Sequence, residues 1–184
     1  MEILKSLFRW LYCLDIIDIL ILLTIATAAF LLANEHQQAK CWWRFVVGLL
    51  LICGVAVVAG ATLGVRDEIQ HGYMNLIPFH SYQEVHNGGN PEIYRSNFMN
   101  VVLFYPAGLL ATSLLPQKWS GWCRCLLVVL VLTAMSIGIE FLQYRFALGR
   151  CEIDDVIHNA LGALLGCLAA LWLPRLLVFS KKQA

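Results

Sequence analysis

The chain has 184 residues, of which 60% are hydrophobic and 14% charged. Such a high apolar fraction excludes an ordinary water-soluble domain and predicts an integral membrane protein. The formal net charge is +1 and no run of like charges occurs, so the composition indicates no nucleic-acid partner. The seven cysteines form no CxxC pair, so neither a disulfide framework nor a zinc site is predicted. We expect no cofactor and no resident metal.

Five apolar stretches approach the roughly 20 residues that a helix needs to cross a bilayer. In chain order they are Ile16–Ala33, Phe45–Val65, Phe98–Leu115, Leu126–Leu142 and Val156–Leu173. The first follows Lys5 and Arg9, as a signal sequence would, but it lacks a small-residue cleavage site and is expected to be retained. Pro116 and Pro174 stand just past two of the stretches and are expected to end those helices. These features predict an all-α fold, a polytopic transmembrane bundle of about five spans.

A long loop, residues 66–97, separates the second predicted span from the third. Loops of this length are usually functional or disordered. It includes YMNLIPF (Tyr73–Phe79), which is too short to span and too apolar for open water, so we expect a re-entrant or interfacial turn there. Such a turn is equally consistent with a plug that caps helices and with a gate for a ligand. Residues 87–91, Asn-Gly-Gly-Asn-Pro, predict a tight turn further along.

The predicted spans place two polar loops, residues 66–97 and 144–155, on one face of the membrane together with the N-terminus. Lys and Arg are nearly balanced between the two faces, so the positive-inside rule gives only a slight bias toward a cytoplasmic C-terminus. Nearly all acidic residues fall on the loop face. We expect that face to lie outside the cell and the C-terminus to lie in the cytoplasm.

Glu140 lies near the end of the fourth predicted span, in SIGIEFLQ. An intramembrane carboxylate costs roughly 2.5 to 3.5 kcal/mol on insertion scales, so it is expected to face the bundle interior and find a partner. Gln143 and Tyr144 share its helical face, because they follow it by three and four residues. Two interpretations stay open for Glu140. It either takes a ligand or a proton, or it forms a structural ion pair with one of three arginines, Arg95, Arg145 or Arg150.

Two adjacent carboxylates, Asp154 and Asp155, precede the fifth predicted span. At a helix N-terminus a carboxylate is stabilised by about 0.3 to 1 kcal/mol, so the simplest interpretation is capping at a solvated edge. His158 follows Asp154 by four residues and Asn159 follows Asp155 by four, so two rows of polar side chains extend along the helix into the span. Capping alone does not require these rows. Loop histidines could join these acids around a divalent metal, but the spacing matches no known metal site.

The third predicted span opens on the same membrane face as Asp154, with Asn97 and Asn100 at its mouth and Pro106 inside it, where a proline permits a kink. We therefore expect the polar groups of the two loops and the spans to line one pocket at that face. From the residues alone its members are Arg66, Asn75, His80, Arg95, Asn100, Glu140, Gln143, Arg150, Asp154, Asp155 and Asn159. If the pocket is catalytic, Glu140 and Asp155 are the candidates for a general base.

Four motifs follow one another along the chain: NLIPF (residues 75–79), Asn100 with LFYPAG (103–108), SxxxExxQ (136–143) and RxxxDDxxxNxxGxxxG (150–166). In this order they resemble the VanZ-like family of bacterial membrane proteins, over about residues 44–173. The resemblance implies that Pro78 and Phe79 belong to the pocket. The same motifs contain residues expected to pack helices together, namely Pro106, Gly108, Gly162 and Gly166.

The resemblance also implies a division of the chain and a role. Residues 1–43 form an N-terminal interfacial segment and an extra transmembrane helix, residues 44–173 the VanZ-like domain and residues 174–184 a C-terminal tail. The family is named for a member that confers low-level teicoplanin resistance in Gram-positive bacteria. We therefore expect a multi-pass protein of the bacterial cell membrane whose partners are membrane lipid and either a lipid-linked cell-wall precursor or the glycopeptide.

No catalytic mechanism comes with this resemblance, so we expect a factor that is not an enzyme. One alternative is a membrane-embedded acid/base enzyme that acts on a lipid headgroup, with Glu140 or Asp155 as base and Arg95 or Arg150 on an anionic group. Another is a small transporter in which Glu140 carries a proton, although the odd number of spans and the lack of an internal repeat disfavour it. The oligomeric state stays open.

Overall fold

The computed structural model of the protein describes residue 25 and residues 47–52, 73–146 and 150–183, with side chains of the last range described as far as residue 173. The elements in chain order are strand β1 (Tyr73–Asn75), helices α1 (His80–His86), α2 (Glu92–Leu114) and α3 (Gly121–Arg145), strand β2 (Arg150–Glu152) and helix α4 (Ile153–Gln183). Residues 25 and 47–52 are also helical. The rest of the first two predicted spans lies outside the described residues.

Among the residues that the structure describes, three helices are long and apolar enough to cross a membrane: α2, α3 and the part of α4 from Ile153 to Leu173. They correspond to the third, fourth and fifth predicted spans, and the all-α transmembrane fold is confirmed. The protein is therefore a membrane protein with a helical core.

Helix α2 begins earlier than its apolar stretch suggested. Pro91 precedes its first residue with φ −64°, which suits a helix start, and Glu92 places a negative charge in the first turn. The helix ends at Leu114 because Leu115, just before Pro116, is extended. Helix α3 then begins after Ser120, whose side chain accepts a hydrogen bond from the Cys123 N–H at 3.1 Å.

The prediction that Pro174 ends the last helix is wrong. Helix α4 continues past Pro174 to Gln183, so it extends into the predicted C-terminal tail, residues 174–184. A proline within a helix removes one backbone hydrogen bond and kinks the axis, but flanking turns can still carry the helix onward. Pro106 is accommodated in the same way inside α2.

Helix α2 packs most extensively against α4, and small residues bring the two backbones into contact. A Cβ atom added at Gly162 would overlap the backbone of Val101, and one added at Gly166 would overlap that of Tyr105. From the other side, a Cβ added at Gly108 would overlap the backbone of Ala163. The three glycines therefore lie where the α2–α4 interface leaves no room for a side chain.

The interior of the described bundle is apolar except where hydrogen bonds cross it. Phe104 and Leu109 of α2 are fully buried, and Leu132 of α3 is also buried. Deep between α2 and α4, the Thr112 hydroxyl donates to Cys167 Sγ at 3.1 Å. These contacts fix the relative positions of the helices that carry the polar residues near their ends.

A two-stranded parallel sheet joins the two polar loops. Its register pairs Tyr73 with Arg150, Met74 with Cys151 and Asn75 with Glu152. Part of the stretch that was expected to form a re-entrant or interfacial turn is thus a strand. The pairing also places loop residues 73–79 beside the start of α4, at the end of the bundle where α2 begins and α3 finishes.

Candidate functional site

The carboxylate of Asp154 binds the backbone at the start of α1. One of its oxygens accepts a hydrogen bond from the Phe79 N–H, and the other accepts from the Ser81 N–H at 2.8 Å. These N–H groups have no partner within the first turn of α1, and Asp154 supplies it. The expected solvated edge is wrong for Asp154, which is 2% exposed because the β1–β2 pairing holds the start of α1 over it.

Tyr82 and His158 form a second link between α1 and α4. The Tyr82 hydroxyl lies 2.7 Å from His158 Nε2, and His158 Nδ1 lies within hydrogen-bond distance of the Asp154 carbonyl oxygen. Because a carbonyl only accepts, Nδ1 carries the proton in this arrangement and Nε2 accepts from Tyr82. His158 is buried, whereas the Tyr82 ring is partly exposed.

Helices α2, α3 and α4 are joined by polar contacts one turn apart. The Asn100 amide on α2 donates to Asp155 Oδ1 at 2.7 Å. One turn deeper on α4, the Asn159 amide donates to the Ser136 hydroxyl of α3 at 2.8 Å. We call these four residues, together with Glu140, the polar seam. The predicted row of polar side chains from Asp155 to Asn159 thus lies inside the bundle and contacts both neighbouring helices.

Glu140 lies one turn from Ser136 on α3 and is 4% exposed. Its Oε2 accepts a hydrogen bond from the backbone N–H of Glu152 at 3.0 Å. It therefore holds the end of β2 against α3. Arg150, at the start of β2, pairs with Glu152 at 2.8 Å and with Glu84 of α1 at 3.2 Å. The two polar loops are thereby fastened to each other as well as to the helices.

Burial changes the acid–base properties of β2, which lies outside the three spans. Burial raises the pKa of the Glu152 carboxyl, although the neighbouring Arg150 lowers it. Burial likewise raises the pKa of the Cys151 thiol, and the carboxylates of Glu140 and Asp155 add to this rise. Burial and the nearby carboxylates therefore both disfavour a thiolate at Cys151.

Some buried polar atoms lack a hydrogen-bond partner within the described part of the chain. Among them are Oδ1 of Asn159 and Nδ1 of His80. Buried polar groups are normally satisfied, so such atoms mark places where a water or a ligand group fits. The Asn159 oxygen lies at the deep end of the polar seam and can only accept. Together with carboxylates at the shallow end, it suits a ligand that brings N–H or O–H donors.

Several residues expected in the pocket lie away from the polar seam. The Arg95 side chain is 56% exposed and pairs with Glu92 at 3.7 Å. It stands two residues from buried Asn97, which turns it about 200° around the helix, so it faces outward. Pro78 and Phe79 also have exposed side chains, and Phe79 contributes through its backbone N–H. Arg66 lies outside the described residues.

The remaining residues expected in the pocket lie near the mouth of the bundle, the end at which α2 and α4 begin and α3 finishes. Asn75 is buried and its Oδ1 accepts from the Ile77 N–H at 3.1 Å, so it shapes the turn after β1. Gln143 is buried one turn beyond Glu140 on α3. His80, in the first turn of α1, is half-buried, and its charge lowers the pKa of Glu152. Asp154, Asp155, Asn100, Asn159 and Arg150 take the contacts described above.

Sequence reasoning missed three contributors, Ser81, Tyr82 and Glu152, and it placed Asn97 at the start of its span without including it in the pocket. The Asn97 amide donates to the Ser81 hydroxyl at 3.0 Å and so ties α2 to α1. Nothing local marks these residues, because their partners lie on other elements. Within the residues that the structure describes, no group of three or more His, Cys, Asp and Glu side chains is placed to hold a metal ion.

Comparison with known proteins adds the following. A family model described as VanZ/LLP1 matches residues 20–174. Among curated relatives, Protein VanZ of Enterococcus faecium is 37% identical over 93 residues, which cover 50% of this chain and 49% of that protein. The chain therefore matches about half the length of that relative. No solved structure matches the chain. The family match begins ahead of residue 44, where the expected domain division was drawn, and that division stays a prediction.

Proposed function

Because the chain belongs to the VanZ/LLP1 family, we propose that it is a cell-membrane factor that raises tolerance to glycopeptide antibiotics such as teicoplanin. In this proposal it is not an enzyme. It acts by binding, through the polar seam and the adjoining loops, the headgroup of a membrane lipid or of a lipid-linked cell-wall precursor. The loop face, with residues 66–97 and 144–155, lies outside the cell and the C-terminus lies in the cytoplasm.

The observation that carries the proposal is the polar seam itself. Asp155 and Glu140 are carboxylates held between helices of a membrane protein, where a charge costs several kcal/mol and is expected to serve a function. At the deep end, the buried Asn159 oxygen has no partner within the described residues. A headgroup with hydroxyl or amine donors can supply the hydrogen bond that the Asn159 oxygen lacks.

The position of the seam supports a role at the headgroup level. It lies where α2 begins, α3 ends and α4 begins, beside the two loops that β1 and β2 join. This end of a span meets the lipid headgroups, because the apolar helices occupy the hydrocarbon. A ligand anchored in the same leaflet can reach the seam without leaving the membrane.

The test compares two changes of Glu140 in a teicoplanin-susceptible Gram-positive host. Glu140→Gln keeps an oxygen that accepts from the Glu152 N–H but removes the charge, whereas Glu140→Asp keeps the charge on a shorter side chain. Teicoplanin tolerance and membrane abundance are measured together. We expect the wild type to raise tolerance and Glu140→Gln to return it to the level of the host at unchanged abundance.

Glu92→Gln provides the matched control, because Glu92 is exposed and pairs only weakly with Arg95 across 3.7 Å. It should leave tolerance and abundance unchanged. If wild-type protein inserts in the membrane and tolerance does not rise, the proposed role is refuted. If abundance falls in step with tolerance in Glu140→Gln, the carboxylate is a structural residue and the ligand site is wrongly placed.

The second candidate, an acid/base enzyme acting on a lipid headgroup, is favoured by the Tyr82–His158 pair. His158 Nε2 accepts from the Tyr82 hydroxyl at 2.7 Å, an arrangement that can take a proton from a phenol. Purified protein is incubated with isotope-labelled lipids and lipid-linked precursors, and products are sought by mass spectrometry. A new product that Tyr82→Phe abolishes supports this candidate, and unchanged substrates exclude it for the lipids tested.

A further inference from the structure

Four large apolar side chains are exposed within six residues that comprise the end of β1 and the connection from β1 to α1. They are Met74, Leu76, Ile77 and Phe79, with exposed fractions of 43%, 62%, 58% and 54%. We call residues 74–79 the apolar loop. It precedes α2, the first of the three described spans, so its exposure is not that of a membrane-crossing helix. Exposed apolar patches of this kind mark contact with a partner or with a membrane.

The apolar loop is held rigidly, so the outward direction of its side chains is built into the fold. Asn75 Oδ1 accepts from the Ile77 N–H at 3.1 Å, and Asp154 accepts from the Phe79 N–H. Phe79 has φ 61°, a left-handed conformation that is unfavourable for a bulky residue and persists only when surrounding contacts impose it. The Ile77 and Phe79 N–H groups are thus bound to side-chain acceptors, while the side chains of Leu76, Ile77 and Phe79 are exposed.

The depth of the apolar loop follows from its attachment. Asp154, which binds its end, lies in the first turn of α4, and the membrane-crossing part of α4 starts at Ile153. Met74 pairs with Cys151, two residues before that start. The loop therefore lies at the boundary of the span, where the hydrocarbon meets the headgroups.

An aromatic track connects the apolar loop to the exposed side of α2. The rings of Phe79 and Tyr82 are 6.3 Å apart, and those of Tyr82 and Tyr94 are 5.7 Å apart. Tyr94 and Phe98 lie one turn apart on the same face of α2, and both are exposed. Tyrosine rings are enriched at membrane interfaces, and Phe98 already belongs to a membrane-crossing helix. The apolar surface is thus continuous with the lipid-facing surface of the bundle.

We propose that the apolar loop inserts into the leaflet on the loop side of the bundle, with Leu76, Ile77 and Phe79 among the lipid acyl chains. The occupant of this surface is the bilayer. Insertion holds the β1–β2 sheet and the mouth of the polar seam at headgroup depth. The inference depends on the membrane fold and on the loop geometry. It does not depend on whether the seam binds a ligand or on resistance.

The test places a photo-crosslinking amino acid, benzoylphenylalanine, at Leu76, at Ile77 and, as control, at Asn87. Asn87 is exposed at the opposite end of α1 and is polar. The full chain is reconstituted in vesicles of phosphatidylethanolamine and phosphatidylglycerol, illuminated and weighed by mass spectrometry. Lipid adducts should be about tenfold more abundant at Leu76 and Ile77 than at Asn87, because removing apolar side chains from water is favourable whereas burying a polar amide is costly.

Other outcomes overturn the inference. Adducts to peptides from residues 1–46 would mean that the protein covers its own loop, and adducts to a second copy would mean that the loop is a dimer contact. Equal lipid yields at Ile77 and Asn87 would mean that the loop does not insert. A further variant adds Ile77→Asp to the Leu76 probe. Ile77 is exposed, so this change should spare folding, checked by the melting temperature in detergent, while it lowers the lipid adduct at Leu76.

Discussion

The α2–α4 interface is built in two ways at its two ends. Around Gly108, Gly162 and Gly166 the two backbones touch, and no side chain fits at those three positions. At the mouth, Asn100 and Asp155 join the same two helices through a hydrogen bond of 2.7 Å. The first arrangement depends on shape and the second on charge and hydrogen bonding.

This difference bears on why the carboxylates are present. Close backbone packing already holds α2 against α4, so buried carboxylates are not needed to keep the helices together. Such groups are weak evidence for stability, because desolvation offsets much of what their contacts contribute. The carboxylates at the mouth are therefore better explained by the segments that they hold in place, which include the start of α1 and the end of β2.

A substitution in the part of the α2–α4 interface where the backbones touch should give the largest loss of stability; we call this part the packed end. Gly162→Ala adds a Cβ where the Val101 backbone already lies, so the helices must move apart, and we expect a loss near the upper end of the about 1 to 3 kcal/mol typical of overpacking. The measurement is the free energy of unfolding in detergent, followed by circular dichroism. Gly138→Ala on α3 is the matched control, because nothing lies within 4 Å of the added Cβ.

In that control, alanine should be neutral or stabilising by up to about 1 kcal/mol, since it is the better helix former. A Gly162→Ala variant as stable as Gly138→Ala would show that the two helices do not pack through their backbones. The comparison between the two ends of the interface would then lose its basis.

The second largest loss of stability is expected at the mouth of the bundle, from a substitution of Asp154. Asp154→Ala leaves the Phe79 and Ser81 N–H groups without their acceptor, and we expect a loss of about 2 kcal/mol, because each buried donor left unpaired costs about 1 to 3 kcal/mol and water can reach part of the loop. Hydrogen exchange at the Ser81 amide, measured by NMR or mass spectrometry, should become faster while exchange in the middle of α2 stays slow.

Glu92→Ala serves as the control for Asp154→Ala, because it removes an exposed acid at the same end of the bundle. It should leave Ser81 exchange unchanged. Uniform loss of protection throughout α2 and α4 in Asp154→Ala would mean that the mouth and the packed end unfold together, contrary to the two-part description of the interface.

The elements that local pattern specifies are those the sequence predicts best. Three spans follow from apolar length, and the step of four residues correctly pairs Asp155 with Asn159 on one face. The partner of Gly162 does not follow, because the spacing of two glycines says that a backbone approaches but not which one.

Contacts between distant segments account for what the sequence did not reveal. A parallel pairing of three residues, as between Tyr73–Asn75 and Arg150–Glu152, has no local signature, since each strand is too short for an alternating pattern. Asp154 was expected at a solvated edge because the N–H donors that it caps were sought on its own helix, whereas they lie at the start of α1. Arg95 was expected in the pocket because the start of α2 was set too late, which hid the outward turn of its side chain.

The smallest effect on stability is expected from Glu152, because its contact with Arg150 partly offsets the cost of burying its charge. Burial raises its pKa in the folded protein, so between the ordinary value of about 4.3 and the raised value the folded state binds more protons than the unfolded state. The stability that Glu152 contributes is therefore complete below its ordinary pKa and is lost as pH rises through the folded pKa. Relative to Glu152→Gln, the wild-type melting temperature should fall across that window.

The same measurement shows whether burial or the nearby Arg150 charge has the larger effect on the pKa of Glu152. Arg150 lies 2.8 Å from the Glu152 carboxylate and lowers its pKa, so it opposes the effect of burial. If the wild type instead gains stability over Glu152→Gln as pH rises, the Arg150 contact outweighs burial at this position. Repeating the series with Glu92→Gln should give no difference from the wild type, because that carboxylate is exposed. A falling wild-type curve with a flat Glu92 control would show that the mouth holds a carboxylate against its preference for water.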